Sequence, residues 1–445
     1  MTWKKDKFKN IIKHKSGYTW SKEQETKFPE PKTVRVLTVT NVQKELDLSS
    51  ELYLKDVKEA DKIKKAVSKH WSIAVSSNGN RKRIGNAVYI KEDSEYLFAS
   101  FLTAFKPKKD SDILPEYFFR WLKSHPIQER ITAVSEGTTG LGNLDIRFLR
   151  NMDIEYPENS SEQIAIDNIL SKVDETIDAT KKSIKAAEKL KKALMQNLLT
   201  GKLKPDGTWR TDDEFYEDEK FGIVPIGWEM KKLKNVCLGG GQYGANASAI
   251  DFVVGNPRYI RITDIDDNGD LIEKNKAGIE KSKVKDYLLK NNDFLFARTG
   301  DTVGKSLLYK EKMGLSAYAG YLIKFTFNEE KILPEYFNLI AKSDIFEAFK
   351  VAMQRVGAKP NINSREYGSF KFPLSNDINE QKLIFKKVKP LNEAISKKYS
   401  KIKKLQRLKK SLMQNLLTGK VRLSSAFIAQ FENEIEVTNT TTTTQ

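Results

Sequence analysis

The residues of this chain that could do chemistry are few, and their spacing defeats each reaction they suggest. Gly300-Asp-Thr-Val-Gly304-Lys305-Ser306 has the residue types of a phosphate-cradling loop. That loop needs four residues between its glycines so that backbone amides can wrap a phosphate, and here there are three. Asn256-Pro257-Arg258-Tyr259 is one proline short of the Asn-Pro-Pro-Tyr loop that holds a flipped adenine in amino-methyltransferases. No glycine-rich cofactor loop follows an apolar strand nearby, so the segment reads as a turn. Gly137-Thr-Thr-Gly140-Leu-Gly142 misses the dinucleotide-binding spacing and reads as a flexible loop. The three histidines, His14, His70 and His125, have no second His or Cys at ligand spacing, which argues against zinc. No Ser-His-Asp or Cys-His arrangement is supported either. The expectation is therefore no catalytic, cofactor-binding or metal-binding residues in this chain.

Charge points to a partner instead. Lys plus Arg outnumber Asp plus Glu by 77 to 59 over 445 residues, a net charge of +18, which favours a polyanion and most simply nucleic acid. A lone cysteine, Cys237, excludes an intrachain disulfide framework and fits a reducing cytoplasm. The opening MTWKKDKFKNIIKHKSG has no apolar core of signal-peptide length, and no stretch approaches the ~20 apolar residues of a membrane span. A soluble cytoplasmic protein is expected, of two or more domains at this length.

The chain then says one thing twice. LKKALMQNLLTGKLK (190 to 204) recurs as LKKSLMQNLLTGKVR (408 to 422), twelve of fifteen positions identical at an offset of 218. ILPEYF (113 to 118) recurs at 332 to 337, and Lys123-Ser124 recurs as Lys342-Ser343. Two copies of one unit are present. In the front part of each copy, short β-rich runs (Val34 to Val39, Ser72 to Val75, Tyr259 to Ile262, Phe294 to Ala297) are broken by Gly, Asn and Asp turns. They predict compact α+β or mostly β domains.

The rear parts are helical. Ile166, Leu170, Val173, Ile177, Ile184, Ala187, Leu190, Leu194 and Leu198 fall at steps of mostly three or four, and Ile384, Val388, Leu391, Ile395, Ile402, Leu405, Leu408, Leu412 and Leu416 repeat the stripe. Ser160 with Gln163, and Asp377 with Glu380, predict capping boxes at the two starts. Gly201 and Gly419 stand where a helix end needs a left-handed residue. A helix of about 38 residues spans ~57 Å, longer than a small domain is wide, so its stripe needs a partner, most naturally the other copy's helix. The residues expected to pair the helices are Ile166, Val173, Ile177, Ile184 and Leu194 with Ile384, Leu391, Ile395, Ile402 and Leu412. Pro390, ten residues into the second helix, is expected to kink or restart it. From Glu380 to Thr418 there are twelve Lys or Arg against two Glu, whereas Glu162 to Thr200 has seven Lys against six acids. The second helix is thus a phosphate-facing or partner-facing surface, or a solvated face. Lys204 to Gly227, with its acidic cluster, has the composition of a linker, and Thr438 to Gln445 that of a disordered tail.

The twin LMQNLLTGK segments, preceded by Ser161-Glu162-Gln163 and Asn379-Glu380-Gln381, resemble the conserved regions of specificity subunits of type I restriction-modification systems. Gly227-Trp228-Glu229 with Lys232-Leu233 resembles the opening of a target recognition domain in that family, and Tyr259 to Ile265 and Phe294 to Lys305 resemble further segments. Val36 to Val42 is a faint counterpart of Tyr259 to Ile265, and Ser76 to Asn80 stands where Ala297 to Asp301 does. The resemblance implies an α+β fold with a pseudo-twofold internal repeat: two mixed α/β target recognition domains separated by a pair of long antiparallel coiled-coil helices. The domains expected are residues 1–158 (first recognition domain), 159–201 (first spacer helix), 202–227 (acidic linker), 228–377 (second recognition domain), 378–419 (second spacer helix) and 420–445 (a partly disordered tail).

It further implies a non-catalytic subunit that reads a bipartite, asymmetric sequence in double-stranded DNA. Such a subunit scaffolds two methyltransferase subunits, which use S-adenosylmethionine, together with restriction motor-nuclease subunits. Residues able to bridge phosphates or fork onto base edges are the candidate contacts. In the first domain these are Asn78, Asn80, Arg81, Lys82 and Arg83 with Thr138, Thr139 and Asn143. In the second they are Arg298, Thr299, Lys305 and Ser306 with Gln354, Arg355, Lys359, Asn361 and Asn363. Two other functions compete. A methyltransferase or nuclease in its own right would need the cofactor or acidic metal motifs that are missing, and a stand-alone bilobal DNA-binding regulator would need no methyltransferase partner.

Overall fold

The computed structural model describes residues 2–92, 95–135, 142–219, 221–353 and 360–432. The chain divides into two units, one made of Met1–Lys181 with Ser400–Gln445 and the other of Lys182–Tyr399. Both cuts fall inside the long helices, Ser160–Leu199 and Ile378–Leu416, so each unit contains a part of both.

The two front domains share a topology. In the first unit a sheet runs in the order Ile12–Ser16, Leu102–Pro107, Ser72–Val75, Ala87–Tyr89, every neighbouring pair antiparallel. In the second unit the order Gln242–Tyr243, Leu322–Phe325, Phe294–Ala297, Ser306–Leu308 repeats it. Each domain has a second four-stranded sheet containing one parallel pair, Val34–Leu37 with Leu97–Phe98 and Arg258–Ile260 with Ser316–Tyr318. Central strands are buried on both faces: every residue of Ser72–Val75 and of Phe294–Ala297 is buried. Such strands lack the polar alternation of a half-exposed sheet, as two-sided burial requires. The second core is aromatic, with Phe296 stacked on Tyr367 at 4.6 Å and Phe294 edge-on to Phe337 at 5.1 Å.

At the base of each domain its first and last strands pair: Trp3–Lys7 with Asp153–Pro157, and Trp228–Lys232 with Lys371–Ser375. The long helix leaves directly from the last strand. A glutamine then locks the departure. Gln163, fully buried, accepts from the Leu114 amide at 2.8 Å and donates to the carbonyls of Asp112 and Pro157, both at 2.9 Å. Gln381, also fully buried, accepts from Leu333 at 2.8 Å and donates to Lys331 at 3.1 Å and Ser375 at 2.9 Å. The anticipated capping boxes are therefore absent, because these side chains turn inward to satisfy buried backbone. The first helix starts at Ser160, and Asn159 accepts from the Ser161 amide at 2.8 Å in place of a Ser160 cap. Asp377 accepts from Asn379, while Glu380 turns away to Arg210, Trp228 and Ser375.

Each unit is closed by the end of the helix that belongs to the other copy. Leu416 and Leu417 lie in the first core with Phe8 and Trp121, and Met195, Leu198 and Leu199 lie in the second with Trp228 and Phe337. Past each helix end a glycine with φ near +70° turns the chain, Gly201 (+70°) and Gly419 (+67°). A Cβ at Gly201 would stand 2.2 Å from the Pro225 ring, so any side chain there displaces the hairpin formed by Phe215–Asp218 and Gly222–Pro225. An arginine follows. Arg422 donates through Nε and Nη2 to the two oxygens of the buried Glu162, at 2.8 and 2.7 Å, with its guanidinium 5.4 Å from the Trp3 ring. Arg210 likewise pairs with Glu380 and lies 5.7 Å from the Trp228 ring, whose Nε1 donates to the same carboxylate at 2.8 Å.

Within each unit the two helix segments are antiparallel. In the first, Asp174 accepts from Lys409; in the second, Lys398 donates to Ser183 at 2.7 Å and Tyr399 to Glu188 at 2.8 Å. Of the apolar residues expected to pair the helices, Ile166, Ile177, Ile184, Ile384 and Ile395 are buried and Val173, Leu194, Leu391, Ile402 and Leu412 are half-buried. Ile166 and Ile384 join the domain cores. Leu190 and Leu408 depart from the stripe: at 59% and 48% exposure both face outward. The second helix runs through Pro390 without a break.

The units differ where helix meets domain. In the first, Arg120 donates to Asp167 and Asp174, both at 2.6 Å, and to Ser171 at 2.8 Å. Burial pushes the Asp174 carboxyl up, but hydrogen bonds and charge from Lys409 and Arg120 outweigh it and hold the group below the usual carboxylate range. A depressed native value stabilises above the unfolded carboxylate range and is lost as pH falls through the native one. Asp174→Asn is expected to cost about 2 kcal/mol near neutrality and to flatten the acid-side loss of stability, read by urea unfolding against pH. Gln381→Ala leaves three backbone groups without their partner, the Ser375 carbonyl fully buried and the other two partly so, and a cost of about 2–4 kcal/mol is expected in the same assay. A loss below about 0.5 kcal/mol, ordinary for a surface change, would contradict the clamp.

Candidate nucleic-acid interface

The loops that follow the central strands carry most of the candidates, because a strand end presents backbone and short side chains to solvent while the sheet fixes their position. In the first unit Ser77–Asn78 pairs with Gly142–Asn143. Asn78 accepts from the Asn80 amide at 2.8 Å, and Asn80 accepts from Lys82 at 3.1 Å, starting a single turn over Arg81–Arg83. That turn brings Arg81 and Lys82 to the surface beside the exposed Asn80 and Asn143. Arg83 is turned inward instead, donating to the carbonyls of Val39 and Val42, both at 2.9 Å. Its guanidinium fastens the 38–47 turn and leaves no free fork. Thr138 and Thr139 lie outside the described residues, as do Gln354, Arg355 and Lys359.

The second unit repeats the arrangement with other residues. Thr299 bridges to Asn361, the counterpart of the Ser77 and Asn143 pairing, and the Ile362 amide donates to the Arg298 carbonyl at 2.9 Å. The Arg298 guanidinium lies 4.8 Å from the Tyr243 ring, and its buried Nε has no hydrogen-bond partner. A guanidinium on an aromatic face is held flat by the ring quadrupole, keeping its remaining donors available to an acceptor in the ring-parallel plane. Lys305 pairs with the exposed Asp267 at 2.6 Å, an attachment weak enough for a phosphate to replace. Two candidates are committed within the fold, one by burial and one by a cap. Ser306 is 5% exposed inside its strand, and Asn363 caps the helix Ser364–Ser369 by accepting from Glu366 at 2.9 Å. The reason is local: the serine lies in a strand buried at every residue, and the asparagine stands one residue before a helix start.

Two features were missed from sequence. Tyr243, the platform for Arg298, lies 55 residues upstream, and only the folded sheet brings the two together. The other is a lysine patch on the first sheet. Lys13 and Lys106 stand directly opposite each other, and Lys13 and Lys15 lie 5.6 and 5.0 Å from the Trp71 ring. Like charges facing across strands destabilise a sheet. Burial and neighbouring lysines push Lys15 and Lys106 below the usual lysine range. The Lys-His-Lys alternation at 13–15 was the available signal. Among the described residues no group of three or more His, Cys, Asp or Glu is placed to hold a metal ion, and no helix is long and apolar enough to cross a membrane.

The sequence pattern of the type I restriction modification DNA specificity domain matches residues 1–189 and again 225–407. Two curated relatives come from Methanocaldococcus jannaschii. The type I restriction enzyme MjaVIII specificity subunit is 24% identical over 317 residues, 69% of this chain and 71% of the relative. The putative MjaX specificity subunit is 22% identical over 449 residues, 95% of this chain and 94% of the relative. Among solved structures, the S subunit of a type I restriction-modification system from M. genitalium superposes with a TM-score of 0.55 at 16% identity, covering 94% of this chain and 96% of that one. A chain solved in a study of assembly and conformational transition of the type I R-M system gives 0.52 at 12% identity, covering 93% and 97%. Two matched halves, each with the same sheet order, base strands and glutamine clamp, place this protein in the family of type I restriction-modification DNA specificity subunits.

Proposed function

We propose that this chain is the non-catalytic sequence reader of a type I restriction-modification complex in the cytoplasm. Its front domains each read one half of a bipartite, asymmetric site in double-stranded DNA, and the paired helices set the gap between the halves. Two methyltransferase subunits that use S-adenosylmethionine dock on the repeated scaffold, and motor-nuclease subunits complete the restriction assembly. The single observation that carries the reading is the exchange of helix ends, with Arg422 on Glu162 in one unit and Arg210 on Glu380 in the other. That exchange makes two equivalent platforms from one chain, and two equivalent platforms take two copies of one partner.

Unlike loops on like frames make the site asymmetric. The first domain's loop offers Asn80, Arg81 and Lys82, and the second's offers Arg298 on Tyr243 with Thr299 and Asn361. Arginine forks onto guanine and asparagine onto adenine, while lysine mostly reaches phosphate. A stand-alone regulator would need neither platform.

Two experiments test this. Arg298→Ala is expected to lower affinity by about 1–3 kcal/mol and to relax preference at one position of one half-site, measured on a panel of duplexes. Unchanged affinity and discrimination would remove Arg298 from the interface. Methylome sequencing of cells with and without the gene should show one two-part adenine-methylation motif, with unlike halves and a fixed gap, disappear with the gene. Loss of no motif would refute the reading.

A further inference from the structure

The junctions of helix and domain are twins in position and unlike in charge. In the first unit the Asp174 carboxylate sits between Lys409 and Arg120, with Lys123 donating to the Lys44 carbonyl at 2.8 Å close by. A shift of 218 residues puts Lys191 at the place of Lys409 and Asn392 at the place of Asp174; the 219-residue offset of the ILPEYF repeat puts Lys342 at the place of Lys123 and Leu339 at that of Arg120. The second unit thus keeps two of the cations and has lost the anion.

A cavity of 290 Å³ opens there, lined among others by Lys191, Lys192, Lys342, Gln196, Glu188 and Asp344. Its acids are engaged: Glu188 accepts from Tyr399 at 2.8 Å, and Asp344 pairs with Lys192 at 3.0 Å. Lys342 donates to the Asn268 carbonyl. The Lys191 ammonium has neither a hydrogen bond nor an ion pair among the described residues. Burial pushes both Lys191 and Lys342 below the ordinary lysine range, with Glu188 pulling back on the first and Asp270 on the second. A half-buried ammonium without an acceptor, as at Lys191, is costly unless an anion joins it, and the exposed Lys342 in the same lining can share that anion.

We propose that this cavity is a phosphate-binding site, with Lys191 and Lys342 as its cationic ligands and the Gln196 amide at its rim. The occupant is a phosphate group, either free or part of a nucleic-acid backbone; only the second source rests on the DNA-reading function. In the first unit Asp174, at the repeat position of Asn392, already joins Lys409, the counterpart of Lys191.

The test compares the full chain with its Lys191→Gln and Asn392→Asp variants in thermal unfolding, with inorganic phosphate added against chloride at matched ionic strength. The wild-type Tm should rise saturably with phosphate and that of Lys191→Gln should not. Asn392→Asp restores the carboxylate of the twin junction, so its Tm should be higher in chloride and indifferent to phosphate. Duplex binding separates the sources. If a backbone phosphate occupies the site, Lys191→Gln lowers the slope of log affinity against log salt by about one and free phosphate competes. If free phosphate occupies it, duplex binding is unchanged while the Tm response is lost. A phosphate response equal in all three proteins, with an unchanged salt slope, overturns the site.

Discussion

The structure depends on one constraint: a carboxylate largely withdrawn from water at the start of each long helix must meet an arginine that follows the end of the other. Glu162 is 1% exposed, and its two oxygens are satisfied by Arg422. Leaving such a group without its partner costs several kcal/mol, far more than a surface ion pair is worth. Because Arg422 is 260 residues from Glu162 and Arg210 is 170 from Glu380, neither domain base can be completed by its own copy. The antiparallel course of the helices follows from that requirement, and so does the placing of Leu198 and Leu416 in the cores they enter. The tryptophans that open the two domains, Trp3 and Trp228, lie against the two arginines.

Much of this was legible because duplication prints the same physics twice. The 218-residue echo and the apolar stripes located both helices to within a few residues of their ends, and the strands Ser72–Val75 and Phe294–Ala297 were read to the residue from their β-rich runs between turns. Errors arose where one residue type serves two purposes. Gln163 and Glu380 stand at capping positions but are taken by buried partners distant in sequence, and no local rule reveals a distant partner. Leu190 and Leu408 continue the stripe in sequence and yet face outward, since heptad-like spacing drifts around a straight helix over several turns. At Pro390 the 39-residue helix does not restart, since the missing donor removes a single backbone hydrogen bond.

The candidate interface was legible as segments and much less as side chains. Loop location follows from strand ends, which apolar runs reveal. Whether an arginine in a loop is free or committed depends on carbonyls elsewhere in the fold, as the contrast between Arg83 on Val39 and Arg298 on Tyr243 shows. Divergence between the two loops on conserved frames fits a division of labour in which the helices are constant and the loops carry sequence preference.

The central claim is the antiparallel crossing, and a cysteine-pair crosslink tests it most directly. On a Cys237→Ser background, Asp174→Cys with Lys409→Cys should join rapidly under a short thiol-specific bifunctional reagent and give one shifted band on a denaturing gel. Parallel helices would instead bring residue 174 opposite residue 392, its equivalent in the repeat. Crosslinking of Asp174→Cys with Asn392→Cys, and none between 174 and 409, would contradict the account.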